Sequence, residues 1–316
     1  MTKLIIQIPC LNEEATLPTT IADLPREVAG FDEVEWLVID DGSTDRTVEV
    51  ARECGVQHVV SHGRNRGLAA AFLTGLDAAL RAGADVIVNT DADNQYQGSY
   101  IGALTAPVLD GSADIVVGER PIESIEEFSF IKKVLQRFGT WVVRRFSGTP
   151  VRDAASGFRA FNREAAIRLR VHNKYTYTME TLIQAGAERL RVVSVPIQVN
   201  PETRPSRLVK SSLSYVLRSM KTIVRSYAIY RPFRFFTIAA AVPGLLGTAL
   251  LARWIYYFAT DEVYHPRLPN LLGGVVLIVI AGQVMVIAFL GDVVAATRRT
   301  VEEETLARRR QELGSR

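Results

Sequence analysis

The chain has 316 residues, of which 48% are hydrophobic and 22% charged, and its formal net charge is +3. This apolar content excludes an intrinsically disordered chain, and two cysteines are too few for a disulfide-stabilised scaffold. The small net charge is the sum of opposite charges on the two parts of the chain. Residues 1–202 carry 21 basic and 27 acidic residues, whereas residues 203–316 carry 16 basic and 7 acidic ones. An acidic first part and a basic second part indicate segments with different surroundings.

Short apolar runs alternate with helical patterns over the first part of the chain. Strands are predicted at 4–8, 35–39, 58–60, 86–89 and 115–117, and helices at 15–24, 44–53, 67–82 and 99–109. This βαβα order predicts an α/β domain with a mostly parallel sheet and helices on both faces. Ligands of such sheets bind beyond the carboxyl ends of the strands.

Acidic residues follow three of these predicted strands, in the segments 12–14, 40–45 and 91–95. We therefore expect at least five carboxylates at one edge of the sheet, a charge density that a divalent cation would offset. Taken singly, each Asp is also consistent with a turn or a helix cap. In the second segment, Ser43 or Thr44 is expected to cap a helix that begins near Asp45.

The sequence lacks the usual glycine-rich phosphate loops. Gly-x-Gly-x-x-Gly does not follow the first strand, and no Gly-x-x-x-x-Gly-Lys-Ser/Thr motif is present. A bound diphosphate would then be neutralised by a metal ion and basic side chains. The acidic segment Asp91-Ala92-Asp93-Asn94-Gln95 offers hard oxygen ligands of the kind that Mg²⁺ or Mn²⁺ prefers. The pattern favours a nucleotide-sugar site.

Two long apolar stretches occupy the second part of the chain. Residues 235–252 are 18 residues without a charge, and residues 271–291 are 21. Both approach the roughly 20 residues that cross a bilayer; an apolar helical hairpin in a soluble protein is the alternative. Arginines flank the pair on its outer sides, and the connector at 260–270 contains only Arg267, against Asp261 and Glu262. The positive-inside rule then predicts a multi-pass protein of the cell (inner) membrane with both termini cytoplasmic.

The segment before the first apolar stretch is strongly basic. Residues 204–234 contain eight Lys and Arg and no acidic residue, with apolar residues at helical spacing. This pattern predicts amphipathic helices at the membrane interface. A nucleic-acid patch is the alternative, but it would not need two spans beside it, and no nucleic-acid partner is expected. The predicted organisation is an α/β domain at 1–203, interfacial helices at 204–233, a transmembrane hairpin at 234–293 and a charged tail at 294–316, whose end is a short solvated helix.

Six motifs together carry a family resemblance that covers nearly all of residues 1–210. They are IPCLNEE (8–14), VIDDGSTD (38–45), GRNRGLAAAFLTG (63–75), NTDADNQY (89–96), DAASGFRAFNRE (153–164) and RPSRL (204–208). The chain resembles the family-2 glycosyltransferases of GT-A fold, within them the dolichol-phosphate mannose synthases and their bacterial polyprenyl-phosphate relatives. Each motif alone is a weak signal, whereas six in family order are a strong one.

The resemblance implies a cytosolic catalytic domain and roles for individual residues on the donor side. The nucleotide and donor sugar would contact Pro9, Asn12, Glu13, Asp40, Asp41, Arg64, Gly67, Asp91, Ser156 and Gly157. Within this set, Arg64 and Gly67 would close over the nucleotide phosphate. Asp91, Asp93 and Gln95 would hold Mg²⁺ or Mn²⁺ on the diphosphate. Gln95 stands where many relatives have a carboxylate, and the lipid-phosphate branch also has Gln there.

The implied acceptor is polyprenyl phosphate, whose second pKa of about 6 makes it largely dianionic at neutral pH. Such an acceptor needs cations rather than a strong base. Its phosphate would be bound by Arg120, Lys133, Arg137, Arg204 and Arg207, although Lys133 and Arg137 also fit an ordinary solvated helix face. Asp153 is expected to position the sugar or an acceptor-side cation. The residues expected to act in catalysis are Asp93, Asp153, Arg120, Arg137 and Arg204.

The predicted function is inverting transfer of one sugar, glucose or mannose, from a UDP- or GDP-linked donor to polyprenyl phosphate at the cytoplasmic membrane face. One alternative is a membrane glycosyltransferase with a hydroxyl acceptor, which would make a glycolipid or polysaccharide. Another is a non-catalytic scaffold that has kept the fold. A homo-oligomer, a tetramer by analogy with related membrane enzymes, is also compatible. The four histidines show no metal-ligand spacing.

Overall fold

The computed structural model describes residues 1–122, 130–171, 177–201, 212–260 and 268–314. The chain forms two compact units. The first comprises Met1–Ser226 with Leu306–Arg316, and the second comprises Tyr227–Thr305.

Seven strands form one sheet in the first unit. They are β1 (Lys3–Cys10), β2 (Glu33–Asp40), β3 (His58–Ser61), β4 (Val86–Asn89), β5 (Ile115–Glu119), β6 (Arg159–Asn162) and β7 (Val192–Pro196). Their order is β3-β2-β1-β4-β6-β5-β7, and β6 alone runs antiparallel to its neighbours β4 and β5. The five predicted strands fall inside β1 to β5. The prediction of a mostly parallel α/β sheet is confirmed, whereas β6 and β7 were not predicted.

Ten α-helices lie in the described part of the chain. They are α1 (Leu17–Asp23), α2 (Thr47–Glu53), α3 (Leu68–Arg81), α4 (Ile101–Leu109), α5 (Phe130–Ser147), α6 (Arg163–Arg168), α7 (Thr178–Ala187), α8 (Ser212–Tyr230), α9 (Pro232–Thr260) and α10 (Leu268–Gly314). The predicted cap of α2 was wrong. The Asp45 carboxylate accepts the Thr47 backbone N–H at 3.0 Å, because Ser43 Oγ is already engaged with the Asn12 N–H at 2.8 Å.

The position of β1 explains where a ligand can bind. Residues 4–10 of this strand are all buried, as expected for a parallel strand covered on both faces. β1 pairs with β2 on one side and with β4 on the other, so the order of strands along the chain reverses at β1. Such a reversal opens a crevice beyond the carboxyl ends of the strands. The three acidic segments follow β1, β2 and β4 and therefore meet at this edge.

The second unit is built from the end of α8, α9 and most of α10. Helices α9 and α10 are long and apolar enough to cross a membrane. Many of their large apolar side chains face outward; Leu245 is 73% exposed and Phe289 is 64% exposed. A Cβ added at Gly247 would lie 2.9 Å from the carbonyl oxygen of Gly274, so the two backbones approach closely. Small residues at such a contact are typical of membrane helices.

The charged tail differs from its prediction as a short solvated helix. It is the last part of the continuous helix α10. Within the first unit, Arg309 donates hydrogen bonds to the Ile167 carbonyl at 2.9 Å and to Asp77 Oδ1 at 3.1 Å. Arg310 pairs with Glu164. The basic residues of the tail therefore contact acidic partners on α3 and α6, which the sequence pattern of the tail alone does not reveal.

Candidate active site

The loops after β1 and β2 are joined by hydrogen bonds. Asn12 has a φ of 57°, a left-handed conformation that Asn tolerates better than most residues. Its Oδ1 accepts the Thr44 N–H at 2.7 Å, and the Glu13 N–H donates to Thr47 Oγ1 at 2.8 Å. These contacts bring together the predicted donor-side residues of the two loops, which are Pro9, Asn12, Glu13, Asp40 and Asp41.

The Asp41 carboxylate is committed to the loop that follows β3. Oδ1 accepts the Arg66 N–H at 2.9 Å, and Oδ2 accepts the Gly67 N–H at 2.8 Å. Asp41 thus holds the end of the loop just before α3, near the helix N-terminus, where a negative charge is favourable. The structure joins Asp41 to Gly67, and both belong to the predicted donor-side set. Arg64 lies in the same loop and is exposed.

Asp91 and Asp93 follow β4 and are both partly exposed. Burial and then the charge of Asp93 raise the pKa of Asp91 to about 7, and Glu13 adds to the rise. The positive charge of Arg120 opposes it. The Gln95 N–H donates to Asp93 Oδ1 at 3.1 Å, which holds the turn closed. The charge of Asp93 disfavours the ionised form of Asp91, so a cation placed between the two side chains would relieve the repulsion.

The available ligands fit a metal ion that is shared with a phosphate. In the described ranges, no group of three or more His, Cys, Asp or Glu residues could hold a metal ion. Mg²⁺ and Mn²⁺ accept one or two protein carboxylates and take their other ligands from phosphates and water. Asp91, Asp93 and Gln95 supply such a set, because two carboxylates and an amide leave coordination positions for a diphosphate.

A buried ion pair stands beside this acidic edge. Arg120, just after β5, donates from Nε to Asp153 Oδ2 at 2.7 Å and from Nη2 to Oδ1 at 3.2 Å. The Asp153 side chain is fully buried, and that of Arg120 is 9% exposed. Both carboxylate oxygens are engaged by the guanidinium in this bidentate geometry. Asp153 therefore orients Arg120, and each of its oxygens already accepts a hydrogen bond from the guanidinium.

The segment after Asp153 packs directly on the end of β4. The Gly157 carbonyl accepts a hydrogen bond from Asn89 Nδ2 at 2.9 Å, and the Gly157 N–H donates to the Tyr96 hydroxyl at 3.0 Å. A Cβ at Gly157 would lie 3.1 Å from Asp91 Oδ2, so only glycine lets this backbone reach the carboxylate without displacement. Ser156 is fully buried beside it.

Arg159 on β6 is a structural residue of the site that the sequence reasoning missed. Its guanidinium is fully buried and donates to the carbonyl oxygens of Ser156 and Ala154, both at 2.9 Å, and of Thr178 at 2.8 Å. Burial lowers its pKa to about 10. Arg159 thus fixes the segment between Asp153 and Gly157. An arginine inside the apolar run Phe158–Phe161 was the available signal.

The remaining predicted acceptor residues lie on other parts of the chain. Lys133 and Arg137 are on α5, where Lys133 is half-buried and Arg137 is exposed. Arg204 and Arg207 fall outside the described residues. The roles of these four residues in binding a lipid phosphate stay predictions.

The sheet order, the switch at β1 and the acidic edge define a nucleotide-sugar-binding fold of the GT-A type. Residues 5–170, more than half of the chain, match the model of Glycosyl transferase family 2. The chain belongs to this family.

Characterised relatives are similar over most of their own length. A UDP-N-acetylglucosamine–dolichyl-phosphate N-acetylglucosaminyltransferase of Methanococcus voltae is 29% identical, over 60% of this chain and 83% of the relative. A polyprenol monophosphomannose synthase of Mycolicibacterium smegmatis is 30% identical, over 61% of this chain and 76% of the relative. The resemblance inferred from the motifs is confirmed.

Solved structures share the fold. The glucosyl-3-phosphoglycerate synthase of Mycobacterium tuberculosis, solved with Mn²⁺, UDP and glucosyl-3-phosphoglycerate, superposes with a TM-score of 0.56 at 24% identity. The match covers 70% of this chain and 80% of that chain. The predicted fold class is confirmed.

The first prediction concerns the Arg120–Asp153 pair. Removing one partner of a buried ion pair leaves an uncompensated charge, so Arg120→Gln and Asp153→Asn should each lower the free energy of unfolding by about 3 kcal/mol. The double variant should lose less free energy of unfolding than the two single variants lose together. A double-mutant cycle on detergent-solubilised protein, followed by urea denaturation, measures the coupling. Additive losses would contradict the pairing.

The second prediction concerns the pH dependence of metal binding. A metal ion must displace the proton of Asp91, so Mn²⁺ binding should release about one proton at pH 6 and about 0.1 at pH 8. The affinity should fall as the pH drops below 7, because the protonated carboxyl competes with the metal. Titration calorimetry in two buffers of different ionisation enthalpy counts the protons. Equal release at both pH values would refute the assignment of Asp91.

Proposed function

We propose that the protein transfers one sugar from a nucleotide-sugar to polyprenyl phosphate, with inversion, at the cytoplasmic face of a membrane. The observation that carries this proposal is Arg120, a guanidinium held by Asp153 beside the acidic edge and close enough to act on Asp91. A fixed cation next to a donor site suits an acceptor that is itself an anion. The names of the relatives from Methanococcus and Mycolicibacterium support the same acceptor class.

The acceptor phosphate would supply the nucleophile without a general base. Its oxygen would attack the anomeric carbon in line, a new C–O bond would form, and the bond to the nucleoside diphosphate would break. Arg120 would hold the phosphate close to the anionic donor, and the Gly157 backbone would line the sugar. A divalent ion held by Asp91, Asp93 and Gln95 would stabilise the charge on the departing diphosphate.

Several finer assignments belong to the same proposal. Glucose or mannose is the proposed sugar and UDP or GDP the proposed nucleotide. The basic segment before α9 would lie on the anionic leaflet, and α9 and α10 would span the bilayer with both termini cytoplasmic. The extensive outward-facing apolar surface of α9 and α10 supports the membrane assignment.

A hydroxyl acceptor is the competing proposal, because many relatives of this fold use one. It needs a carboxylate free to take a proton from the hydroxyl group. The engagement of both Asp153 oxygens by Arg120 argues against Asp153 in that role.

The third prediction tests the reaction. Detergent-purified protein with Mn²⁺ or Mg²⁺, polyprenyl phosphate and a panel of nucleotide-sugars should yield lipid of a mass increased by one hexose. Asp93→Ala should lower kcat by roughly a hundredfold or more, because the charge on the leaving group loses its counter-ion. Asp110→Ala, at an exposed carboxylate beyond α4, is the matched control and should retain activity. Transfer to a hydroxyl-ended glycan, with none to the lipid phosphate, would refute the proposal.

The fourth prediction separates acceptor from donor binding. Arg120→Lys keeps a positive charge but loses the bidentate fork that matches Asp153 and phosphate. We expect the KM for polyprenyl phosphate to rise roughly tenfold, and the KM for the nucleotide-sugar to change by less than about threefold. Steady-state kinetics with each substrate varied in turn give both values. An equal rise in the two would speak against Arg120 as an acceptor ligand.

A further inference from the structure

A buried histidine after β3 has no part in the proposed reaction. The backbone N–H of His62 donates to the Asp40 carbonyl at 2.9 Å, and only 8% of the residue is exposed. Its Nδ1 lies 2.7 Å from Asp41 Oδ1, and its Nε2 lies 3.0 Å from Thr74 Oγ1 on α3. The ring therefore links the end of β2 to α3.

The partners of the ring determine its hydrogen-bonding roles. Asp41 Oδ1 already accepts the Arg66 N–H, so we assign Nδ1 of His62 as the second donor to this oxygen. The Thr74 hydroxyl can donate or accept, so it suits Nε2 in either protonation state. The chain from Thr74 through His62 to Asp41 is thus satisfied at each step, and it fixes the rotation of the Asp41 carboxylate.

The orientation of Asp41 determines the position of the loop at residues 63–67. Its two oxygens accept the backbone N–H groups of Arg66 and Gly67. Next to it, a Cβ at Gly42 would lie 2.6 Å from the Arg64 carbonyl carbon. The loop backbone therefore rests directly on Asp41 and Gly42, with no side chain between. Any rotation of the Asp41 carboxylate would weaken one of the two hydrogen bonds that hold the loop.

We propose that His62 is a positioning residue for the donor nucleotide, which acts through Asp41 on the loop that carries Arg64. His62 itself would contact neither donor nor acceptor. By holding the Asp41 carboxylate, it would keep the loop in the conformation that receives the diphosphate. The inference rests on the proposed function only in assuming that a nucleoside diphosphate binds at this edge of the sheet.

The test uses the full chain in detergent, with UDP and GDP each titrated calorimetrically in the presence of Mn²⁺ and without lipid. His62→Ala should weaken binding of the preferred nucleotide roughly tenfold, the expected effect of losing a hydrogen bond to a charged group. His62→Asn should stay within about threefold of the unsubstituted protein, because its amide can donate in place of Nδ1–H. His58→Ala is the control, since His58 is the first residue of β3, close to His62 along the chain, and its ring pairs with Glu35 rather than with Asp41.

A second comparison shows whether the effect passes through the loop. In an Arg64→Ala background, His62→Ala should weaken nucleotide binding by a smaller factor than it does in the unsubstituted protein, because both changes act on the same segment. Additive losses would overturn the proposal. It would also be overturned if folded His62→Ala bound the nucleotide normally, or if His62→Asn bound as weakly as His62→Ala.

The role of His62 can still be tested in two other cases. If His62→Ala fails to fold, Thr74→Val offers a second variant, which removes the hydrogen bond to Nε2 while leaving His62 and Asp41 in place. It should weaken nucleotide binding about threefold. Unchanged binding would overturn the inference. Should the protein bind the nucleotide but leave polyprenyl phosphate unmodified, the proposed acceptor is refuted, and the comparison of the His62 variants still tests the role of His62.

Discussion

Repulsion among carboxylates at the ends of β1, β2 and β4 is the constraint on which the site depends. β1 lies between β2 and β4, so their acidic loops converge at one edge. In the loop after β2, the Asp41 carboxylate binds the loop after β3; Asp153, which precedes β6, binds Arg120. Burial and then the negative charge of Asp93 raise the pKa of Asp91 to about 7, although the positive charge of Arg120 opposes the rise. A divalent cation that arrives with a diphosphate would add positive charge next to Asp91 and Asp93.

The buried contacts of Arg120, Asp153 and Arg159 fix the positions of the surrounding residues more than they stabilise the fold. A buried ion pair contributes little net stability, since desolvation of both charges offsets their attraction. Arg120 and Asp153, and Arg159 with its carbonyl acceptors, instead hold the segment at 153–157 against β4. Gly157 then approaches Asp91 closely enough that a Cβ would lie 3.1 Å from Asp91 Oδ2, a tight contact that the carboxylate could relieve only by moving. Hydrogen bonds from Asn89 and to Tyr96 hold Gly157 on the end of β4, so the segment that contains Asp153 lies beside the candidate metal ligands.

The sequence predicted those features that depend on local pattern. Buried parallel strands are continuous apolar runs, so β1 to β5 were predictable, and the acidic segments followed them. β6 was missed because it is short and carries Arg159, and β7 because it is short and half-exposed. The pairs Arg120–Asp153 and His62–Asp41 join residues 33 and 21 positions apart, and only the sheet order brings them together. The contacts of Arg309 and Arg310 likewise depend on the surface of α3 and α6.

The most direct test of this account is the affinity for a nucleoside diphosphate with and without a divalent cation. UDP and GDP are titrated into the full-length protein in Mn²⁺ and again in EDTA. If the carboxylate edge requires a counter-ion, removal of Mn²⁺ should weaken binding of the preferred nucleotide by roughly a hundredfold or more. Equal affinity under both conditions would contradict the account, because the diphosphate would then bind beside Asp91 and Asp93 without any cation to offset their charge.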